Sequence, residues 1–558
     1  MALSWSVLPA CLWQDFLAGL AFWLLDTILR RTRWMWLPYG ALAIYVAINV
    51  AVVATLGSPL TWTMLRATGG PLGDSMRSAL TPIVILAMIC VLTAAAVVPW
   101  LAGRVAPAGR RASMAVVLLL TITGAVAARR VDTSGLERNA ITALALSPAT
   151  RVASATSDAD FRSSPFEQRR SEDMTQYRGA AAGLNVLVVG LESTAAQYLA
   201  SYGAKDDPTP YLTSLASESI VFESAYAVYP ESIKGLFALL CSMTPAIDVP
   251  SETLARTPCD SLVRRFSTAG YRTGLFHAGR FSYLGMREVL DGQRFDVADD
   301  AGTIGGNAQS SFGVDEPAVV ARILDWIDTP NLNRPFFAVY LPAAGHHPYQ
   351  SSGSGPFPDD TALGAYKNAI HEGDRSLGTL IDGLRARQLL DRTLIVVFGD
   401  HGQAFDQHPG NRVHSLYVYD ENVRVPLVFR LPGLAHEPGL RRVRRVASVI
   451  DIGPTILDVA ALPPQTAVEG RSLLMPAERM ALFFADYDRG WLGLRDGCWK
   501  FLFEVETDRS RLFDVCSDAG ETRDVSDTAP HRVEAYRKRV KEWAAARRAA
   551  VLAAAQGR

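Results

Sequence analysis

The first 130 residues of the chain contain no glutamate, no lysine and no histidine. Their only acidic residues are Asp15, Asp26 and Asp74, and all nine histidines of the chain lie between His277 and His531. Acid–base catalysis and metal binding depend on side chains of these types. The sequence therefore favours an apolar membrane anchor at the start of the chain and a water-soluble catalytic domain after it.

The chain also has almost no net charge, and it has no N-terminal basic segment. Its 55 basic and 56 acidic residues give a net charge of −1. Nucleic-acid binding calls for a strongly basic surface, so the composition argues against nucleic acid as a partner. A cleavable signal peptide needs a basic segment before its apolar core, and none precedes the first apolar stretch. The length of 558 residues predicts two or three folding units.

Four long apolar stretches occupy the first part of the sequence. They are Val7–Leu29, Trp34–Leu56, Leu80–Ala102 and Ala112–Ala128. A helix needs about 20 apolar residues to cross a bilayer, so we expect an anchor of three or four transmembrane helices. Asp15 and Asp26 interrupt the first stretch. They lie either near helix ends or inside the membrane as functional carboxylates, and the sequence leaves both alternatives open.

Basic residues between these stretches predict the orientation of the anchor. The two clusters are Arg30, Arg31 and Arg33, and Arg104, Arg110 and Arg111. Basic residues in short loops favour the cytoplasmic side of a membrane. Both clusters are cytoplasmic only if the two stretches between them form a hairpin, and the chain then leaves the last stretch on the opposite side. We therefore expect a multi-pass protein of the inner (plasma) membrane with an extracytoplasmic, periplasmic catalytic domain.

Four cysteines of the second part form two pairs that are close in sequence. Cys241 precedes Cys259 by 18 residues, and Cys498 precedes Cys516 by the same spacing. In an oxidising compartment such pairs form disulfides. Buried free thiols are the other alternative, and the sequence does not decide between the two.

Short apolar runs alternate with helical patterns after residue 184. The runs are Asn185–Leu191, Arg272–His277, Pro335–Leu341, Thr393–Gly399 and Val425–Arg430. Strands that alternate with helices, such as Ala369–Leu384, predict an α/β domain with a largely parallel sheet. Fully apolar strands indicate that both faces of this sheet are covered. The Ala/Arg-rich segment Pro530–Ala555 predicts a helix at the end of the chain.

Polar side chains follow four of these runs. They are Glu192 after the first run, His277 at the end of the second, His346 and His347 after the third, and Asp400 and His401 after the fourth. In open α/β sheets the ligand site lies beyond the carboxyl ends of the strands. Carboxylates mixed with imidazoles suit Zn²⁺ or Mn²⁺ better than Mg²⁺ or Ca²⁺. We therefore expect a divalent metal as cofactor at this edge of the sheet.

The order of several motifs resembles the sulfatase family of the alkaline phosphatase superfamily. The motifs between Leu184 and Asp527 are VVGLEST, PESIKGLFALLCS, AGHHPY, FGDHG and RLFDVCSDAGETRDVS. With its multi-span anchor, the chain is similar to lipoteichoic acid synthases, phosphoglycerol transferases and phosphoethanolamine transferases. The resemblance implies an α/β sandwich with a small C-terminal antiparallel subdomain. The implied domains are an anchor (1–130), a linker (131–183), a catalytic core (184–479) and a C-terminal subdomain with a terminal helix (480–558).

The resemblance also implies roles for individual residues. The implied metal ligands are Glu192, Ser232, Asp400 and His401. The implied catalytic residues are Ser232, His346 and His414. The implied anion-binding residues are Lys234, His277 and Arg280. Ser232 would be the nucleophile, and the two catalytic histidines would lie near the leaving group and the acceptor. Ser232 also suits the N-cap of a following helix, which is a structural alternative compatible with the catalytic role.

Two departures separate the chain from true sulfatases. Their maturation signal reads Cys or Ser, any residue, Pro or Ala, any residue, Arg, and its first residue becomes formylglycine. The matching segment has Ser232 first, Lys234 third and Leu236 fifth, so this signal is absent. A single carboxylate, Glu192, stands where sulfatases usually have two adjacent aspartates. Both departures favour an unmodified hydroxyl nucleophile and one main metal.

These observations predict a metal-dependent phosphotransferase. It would move a phosphoglycerol- or phosphoethanolamine-type head group from a membrane lipid to an envelope glycan or lipid, through a covalent phospho-Ser intermediate. The stretch GRFSYLGM after His277 lacks the acidic and Trp positions of the lipoteichoic acid synthases, which leaves the head group open. An extracytoplasmic hydrolase of phosphodiesters or sulfuric esters is an alternative. A non-catalytic envelope protein is a third.

Overall fold

A computed structural model describes most of the chain. The described ranges are 7–28, 35–67, 79–102, 110–128, 130–131, 133, 135–147, 150–166, 171–283, 285–307, 312–329, 334–351, 353, 355–434 and 442–557. Their contacts divide the chain into two compact units. The first comprises residues 1–150 and 406–412, and the second comprises residues 151–405 and 413–558.

The first unit is helical. Its described helices are α1 (Leu8–Ile28), α2 (Trp36–Leu56), α3 (Trp62–Ala67), α4 (Pro82–Ala102), α5 (Arg110–Ala128) and α6 (Ala140–Leu146). The four predicted apolar stretches are therefore confirmed as helices. Among the described residues, three segments are long and apolar enough to cross a membrane, namely Leu8–Ile28, Trp36–Leu56 and Pro82–Leu101. The apolar part of α5 with described side chains, Met114–Ala128, is shorter.

The arginines that predict the orientation of the anchor fall outside this description. Arg30, Arg31, Arg33, Trp34 and Arg104 lie outside the described residues, and the side chains of Arg110 and Arg111 are also outside them. The orientation therefore stays a prediction.

Helix α1 packs along α5, and α2 packs along α4. A Cβ at Gly124 of α5 would lie 2.3 Å from the carbonyl oxygen of Pro9, so glycine allows the close approach of α1. Asp15 of α1 accepts a hydrogen bond of 2.6 Å from the side-chain amide of Asn139. Asn139 is also the N-cap of α6. Asp15 thus has a structural contact, because it holds the start of α6 against α1.

The second unit is built on a nine-stranded sheet. Its strands are β1 (Asn185–Leu191), β2 (Ile220–Tyr226), β3 (Arg272–His277), β4 (Val297–Asp299), β5 (Phe336–Leu341), β6 (Thr393–Gly399), β7 (Arg424–Val425), β8 (Leu427–Arg430) and β9 (Arg442–Ser448). Their order is β4-β3-β5-β1-β6-β8-β2-β7, and β9 pairs with β2. The first five strands in this order are parallel, as predicted. Strand β8 runs antiparallel to both β6 and β2.

Helices cover both faces of this sheet. The described helices are α7 (Pro210–Ser217), α8 (Ser232–Cys241), α9 (Ser251–Leu254), α10 (Leu262–Thr268), α11 (Met286–Asp291), α12 (Ala301–Ile304), α13 (Glu316–Asp328), α14 (Ala362–Ala386), α15 (Asp420–Val423) and α16 (Ile452–Val459). Along β1, Val186 and Val188 join the apolar cluster on one face, while Leu187 and Val189 join the cluster on the other. This double burial explains why the strand is a continuous apolar run rather than an alternating one.

The sheet differs from the prediction in its antiparallel part. The predicted run Val425–Arg430 is divided into β7 and β8 at Pro426, because proline has no N–H to donate to a neighbouring strand. Strands β2, β4 and β9 were not predicted. The α/β architecture itself is confirmed.

A second sheet and a long helix end the chain. The sheet is antiparallel, with the strands β10 (Ala481–Ala485), β11 (Trp491–Asp496), β12 (Trp499–Glu504) and β13 (Arg509–Asp514) in this order. Helix α17 spans Pro530–Ala555, with the predicted bounds. Both cysteine pairs form disulfides, Cys241–Cys259 and Cys498–Cys516, with Cα atoms 5.5 and 5.2 Å apart. The alternative of buried free thiols is wrong for these four residues.

The residues between the anchor and β1 are divided between the two units. Helix α6 belongs to the first unit, whereas Arg151 and Arg162 belong to the second. The guanidinium of Arg162 donates to both carboxylate oxygens of Asp451, at 2.6 and 2.7 Å. Arg151 pairs with Asp248 at 2.7 Å. The proposed linker limits, 131 and 183, stay a prediction, as do the other domain boundaries.

Candidate metal centre and active site

The site begins where two neighbouring parallel strands end. Leu191, the last residue of β1, pairs with Gly399, the last residue of β6. The next residues are Glu192 on one strand and Asp400 and His401 on the other. The backbone N–H of Asp400 donates to the carbonyl of Leu191 at 3.1 Å, which continues the pairing by one residue. The register of β1 and β6 therefore brings these side chains together.

Glu192, Asp400 and His401 form a compact cluster, called here the site cluster. One ligand atom from each lies within 4.8 Å of the other two. His401 Nε2 is 3.6 Å from Glu192 Oε1 and 3.7 Å from Asp400 Oδ2. All three side chains are buried. Two carboxylates and an imidazole that converge in this way match the donor set of a divalent-metal site.

Ser232 joins this cluster from the start of α8. Its Oγ donates to Glu192 Oε2 at 2.8 Å and lies 3.5 Å from His401 Nε2. The N-cap of α8 is Glu231, and Ser232 is the first helical residue. The hydroxyl is therefore directed at the site cluster instead of capping the helix. Gly235, one turn later, lies against the backbone of Asp400, where an added Cβ would be 3.5 Å from the carbonyl oxygen.

The site cluster has an excess of negative charge. Burial raises the pKa of the Asp400 carboxyl well above its usual value, and the adjacent charge of Glu192 raises it further. Two buried carboxylates side by side need a compensating cation. The imidazole of His401 donates Nδ1–H to the carbonyl of Gly402 at 2.9 Å, which leaves the Nε2 lone pair free for a metal. The charge and the tautomer therefore both fit a bound divalent cation.

Two further histidines of the site, His277 and His346, have the same tautomer as His401. Nδ1 of His277 contacts the carbonyl of Leu341 at 3.0 Å, and Nδ1 of His346 contacts the carbonyl of His347 at 2.7 Å. An oxygen acceptor at Nδ1 places the proton there, so Nε2 carries the lone pair. Burial lowers the pKa of both imidazoles, which keeps them neutral near neutral pH.

His414 is held by a side-chain amide. Its Nδ1 lies 3.1 Å from Oε1 of Gln403, and its ring centroid lies 4.3 Å from that of His401. Gln403 also donates its Nε2–H to the carbonyl of Ala404 at 3.1 Å, which fixes the orientation of the amide. Burial, followed by the neighbouring His401, lowers the pKa of His414 well below its usual value. His414 therefore also presents the Nε2 lone pair.

Lys234 and Arg280 lie in different surroundings. Lys234 is buried, with Nζ 3.3 Å from Asp486 Oδ1 and 3.7 Å from the centroid of the Tyr229 ring. Arg280 is exposed, and its Nη1 would lie 3.6 Å from a Cβ added to Gly302 in α12. The structure thus brings Glu192, Ser232, Asp400 and His401 into direct contact, whereas Lys234 contacts the C-terminal sheet and Arg280 lies beside α12.

Sequence reasoning missed three residues around the site. Gln403 fixes the ring of His414, and its place in the segment GDHGQ could have indicated it. The ring of Phe312 stacks on His346, with centroids 3.9 Å apart and an interplanar angle of 9°. The hydroxyl of Tyr487 hydrogen-bonds Glu231, the residue before the serine. Phe312 and Tyr487 lie in loops without a motif, so no signal in the sequence pointed to them.

Comparison with known proteins gives the same family as the motifs. The sulfatase family model matches residues 184–462, which is half of the chain. Lipoteichoic acid synthase 2 of Bacillus subtilis is 22% identical over 334 residues, covering 56% of this chain and 50% of that protein. Arylsulfatase K of Xenopus laevis is 26% identical over 216 residues, covering 35% of this chain and 39% of that protein. The chain thus spans half or less of the length of these curated relatives.

Solved structures show the same fold. The lipoteichoic acid synthase LtaP of Listeria monocytogenes superposes with a TM-score of 0.55 at 19% identity, covering 67% of this chain and 95% of that one. An alkaline phosphatase superfamily protein of Vibrio parahaemolyticus gives a TM-score of 0.54 at 20% identity, with coverages of 67% and 90%. The matched residues of the family model make up half of the chain, and the chain therefore belongs to the sulfatase family.

Proposed function

We propose that the chain is a membrane-anchored, metal-dependent phosphotransferase. It moves a phosphoglycerol- or phosphoethanolamine-type head group from a membrane lipid to an envelope glycan or lipid. Three helices long and apolar enough to cross a membrane and the similarity to a lipoteichoic acid synthase support this proposal. The proposed location is the inner (plasma) membrane, which the chain crosses several times, with the catalytic unit on the extracytoplasmic, periplasmic side.

The observation that carries the proposal is the position of the Ser232 hydroxyl. It contacts Glu192 and lies 3.5 Å from His401 Nε2, within a cluster suited to a metal. Lys234 and Leu236 stand where the formylglycine signal needs Pro or Ala and then Arg. An unmodified serine beside a metal site is a nucleophile for phosphoryl transfer rather than for sulfatase chemistry.

Glu192, Asp400, His401 and Ser232 are the proposed metal ligands. The mixed oxygen and nitrogen donors favour Zn²⁺ or Mn²⁺. A bound ion of this kind would lower the pKa of the serine hydroxyl and neutralise charge on the phosphoryl oxygens. The first N–H groups of α8 have no acceptor within the helix, so they add a partial positive charge beside the nucleophile.

In the first half of the reaction, Ser232 Oγ attacks the phosphorus of the lipid donor. A bond forms between Oγ and phosphorus, and the bond between phosphorus and the lipid oxygen breaks. The hydroxyl proton, which points at Glu192 Oε2, ends on the departing lipid alcohol. The product is a phospho-Ser232 that carries the head group, together with a neutral lipid alcohol.

In the second half, an acceptor alcohol takes the group from Ser232. His346 and His414 each present a neutral Nε2 lone pair, and either suits the removal of the acceptor proton. The acceptor oxygen bonds to phosphorus, the Oγ–phosphorus bond breaks, and the proton returns to Ser232. Of the three proposed anion-binding residues, His277 has a buried Nε2 without a hydrogen-bond partner among the described residues, and this nitrogen would have to carry a proton to donate to an anion. Lys234 would have to leave Asp486 to reach an anion.

A hydrolase is the second candidate function. The curated matches include arylsulfatase K proteins, which supports an ester hydrolase built on the same site. Water would then replace the acceptor alcohol in the second half. Product analysis separates the two, since a transferase forms a head-group-modified acceptor and a hydrolase releases the free phosphorylated head group.

The direct test is a mass spectrum of the intact protein purified from its own membrane. A covalent phosphoryl adduct that maps to Ser232 identifies the transferred group and supports the phospho-Ser232 intermediate that the transferase and the hydrolase share. An aldehyde at this position, with the mass loss of two hydrogens, would overturn the transferase assignment and favour a sulfatase.

Substitutions at Ser232 test the same proposal. Ser232→Ala should abolish turnover while three metal ligands survive, and Ser232→Thr should keep some activity because the hydroxyl remains. Ser232→Cys should be nearly inactive, because a thiolate binds zinc tightly and attacks phosphorus poorly. Ser193→Ala is the matched control, because Ser193 also donates to Glu192, at 2.8 Å, without being the nucleophile. Turnover and metal content measured together decide the outcome.

A further inference from the structure

Glu316 is a buried carboxyl that the proposed mechanism does not use. It is the first residue of α13 and is 1% exposed. Its Oε1 accepts the backbone N–H groups of Ala343 and Ala344, at 2.6 and 3.0 Å, and its other oxygen accepts the hydroxyl of Tyr340. Three donors on one buried carboxyl make a rigid attachment, because each donor would otherwise be left without a partner.

The attached backbone leads directly to His346. The N–H of His346 donates to the carbonyl of Ala343 at 3.0 Å, so the turn that carries the histidine starts at the residues held by Glu316. The turn then passes the site closely. A Cβ at Gly345 would lie 2.5 Å from the carbonyl oxygen of Glu192, and Gly345 has a φ of +99° that favours glycine. A shift of this turn would therefore move His346 relative to the site cluster.

The segment that carries Glu316 also holds the ring of His346. Phe312, four residues earlier, stacks on the imidazole at 3.9 Å. The segment is fixed in turn, because the N–H of Val314 donates to the carbonyl of Ala278 at 2.9 Å and Gly313 forms a bridge with Gly279. One short segment, residues 312–316, thus holds the histidine through both its ring face and its backbone.

We propose that Glu316 is a positioning residue that sets the place of His346 in the active site. The catalytic part of this inference rests on the proposed function, since it gives His346 a part in proton transfer to or from the acceptor. The positional part is independent of that function. In this positional part, the place of His346 depends on the carboxyl oxygen of Glu316 that accepts the N–H groups of Ala343 and Ala344.

Three substitutions at this position separate the acceptor from the charge. Glu316→Gln keeps an acceptor for the two N–H groups, and the Tyr340 hydroxyl can turn to accept from the new amide. Burial raises the pKa of Glu316 to about 7, so loss of the charge alone is a small change near neutral pH. Glu316→Asp keeps the charge but is one methylene shorter. Glu316→Leu removes the acceptor altogether.

The positional test is carbethoxylation of the full-length protein by diethylpyrocarbonate, with the modified peptides quantified by mass spectrometry. His346 should react about five-fold or more faster in Glu316→Leu, less so in Glu316→Asp, and at nearly the wild-type rate in Glu316→Gln, because a freed loop opens locally. His371 and His531 should react at unchanged rates and serve as internal controls. An unchanged rate at His346 in Glu316→Leu overturns the proposal. If that variant does not fold, equal rates in Glu316→Asp and Glu316→Gln overturn it.

The catalytic test is a double-mutant cycle with His346→Ala. Glu316→Leu should lower kcat about ten-fold in the wild-type background and have no further effect on the His346→Ala protein, because the first residue acts through the second. Tyr340→Phe is the control, since it removes one bond to Glu316 without touching Ala343 or Ala344. A merely structural Glu316 would give the same loss in both backgrounds, which contradicts the proposal. If His346 moves but kcat does not change, the positional part holds and the proposed role of His346 fails.

Discussion

Two buried clusters of the second unit each contain one glutamate and one aspartate, but only one of the clusters also contains a lysine. The site cluster contains Glu192 and Asp400. The other, called here the Lys500 cluster, contains Asp420 and Glu521, with Lys500 Nζ 2.7 and 2.9 Å from their carboxylates. Lys500 is fully buried, and its ammonium brings its own positive charge to the two acids. A buried carboxylate pair that contacts a lysine ammonium of the same chain is structural, whereas a pair without such an ammonium suits a bound metal cation.

Each cluster has one carboxyl with a lowered pKa and one with a raised pKa. In the Lys500 cluster, burial opposes ionisation; the ammonium keeps the pKa of Asp420 below its usual value, whereas burial raises the pKa of Glu521 to about 7. In the site cluster, burial again opposes ionisation; His401 keeps the pKa of Glu192 below its usual value, whereas burial and Glu192 together raise the pKa of Asp400. The two clusters therefore differ in the source of positive charge, because one contains an ammonium and the other contains an imidazole.

Among substitutions in these two clusters, Asp400→Asn should have the largest effect on activity. Turnover should fall at least about a thousand-fold, because a proposed metal ligand and its charge would be lost together. The free energy of unfolding of the metal-free protein should not fall, because the substitution removes a repulsion between buried carboxylates. Asp420→Asn is the matched control and should lower stability. Chemical denaturation in chelator checks both, and a clear loss of stability in Asp400→Asn would contradict the comparison.

Lys500→Met should have the largest effect on stability. It leaves Asp420 and Glu521 buried without their counter-charge, which costs about 3–5 kcal/mol. Lys541→Met is the control, because Lys541 is exposed and lies 3.8 Å from Asp508. The control should change the free energy of unfolding by less than about 0.5 kcal/mol. Equal stability of Lys500→Met and the wild type would show that the Lys500 ammonium is not structural.

Metal addition should stabilise the site cluster alone. Zn²⁺ at one hundred times its dissociation constant should raise the free energy of unfolding by about 2.7 kcal/mol. The increase should disappear in Asp400→Asn and should persist in Lys500→Met if that protein remains folded. Differential scanning fluorimetry after removal of chelator measures it. An equal increase in Asp400→Asn would place the metal elsewhere.

Asp374 is a buried carboxylate outside both clusters, and its pKa makes a prediction about the pH dependence of stability. Asp374 accepts the N–H groups of Tyr211 and Leu212, at 2.8 and 2.9 Å, and burial raises its pKa to about 7. The folded state therefore binds a proton between about pH 4 and pH 7 that the unfolded state has lost. Stability from this group is complete below about pH 4 and is lost as the pH rises through 7, a decline of up to about 4 kcal/mol.

Asp374→Asn tests the source of this decline. The free energy of unfolding between about pH 4 and pH 7 should show a flatter slope in the variant, because the titrating group is gone. The wild-type protein under the same conditions gives the reference slope. An identical slope in both proteins would assign the pH dependence to other groups.

Four of the five parallel strands, β1, β3, β5 and β6, were predictable because they are buried on both faces, whereas the short strand β4 is only partly buried. Runs such as Thr393–Gly399 therefore stand out as continuous apolar segments, and the residues after them mark the site. Strand β9 has the opposite character. It is Arg442–Ser448, with exposed and buried residues alternating at its start, and its arginines hide it from a search for apolar runs. Strand β2 likewise contains Glu223 and Ser224.

Within the site, local register was predictable and long-range contact was not. Glu192 and Asp400 meet because their strands pair, which follows from the α/β pattern. Lys234 contacts Asp486, which lies 252 residues later in the turn between β10 and β11. No spacing in the sequence encodes that distant contact. The two disulfides were an open alternative for the same reason, because sequence distance does not give the distance between Cα atoms.

The contacts of Arg151 and Arg162 determine where a fragment that contains only the second unit should begin. The family match starts at residue 184, yet both arginines lie before it and are held by buried or half-buried acids of the second unit. A truncated chain that begins at the family boundary would leave Asp451 as a buried carboxylate without its ion-pair partner. The unit that folds is thus longer than the segment that the family model matches, and a soluble fragment intended for crystallisation or assay should begin before Arg151.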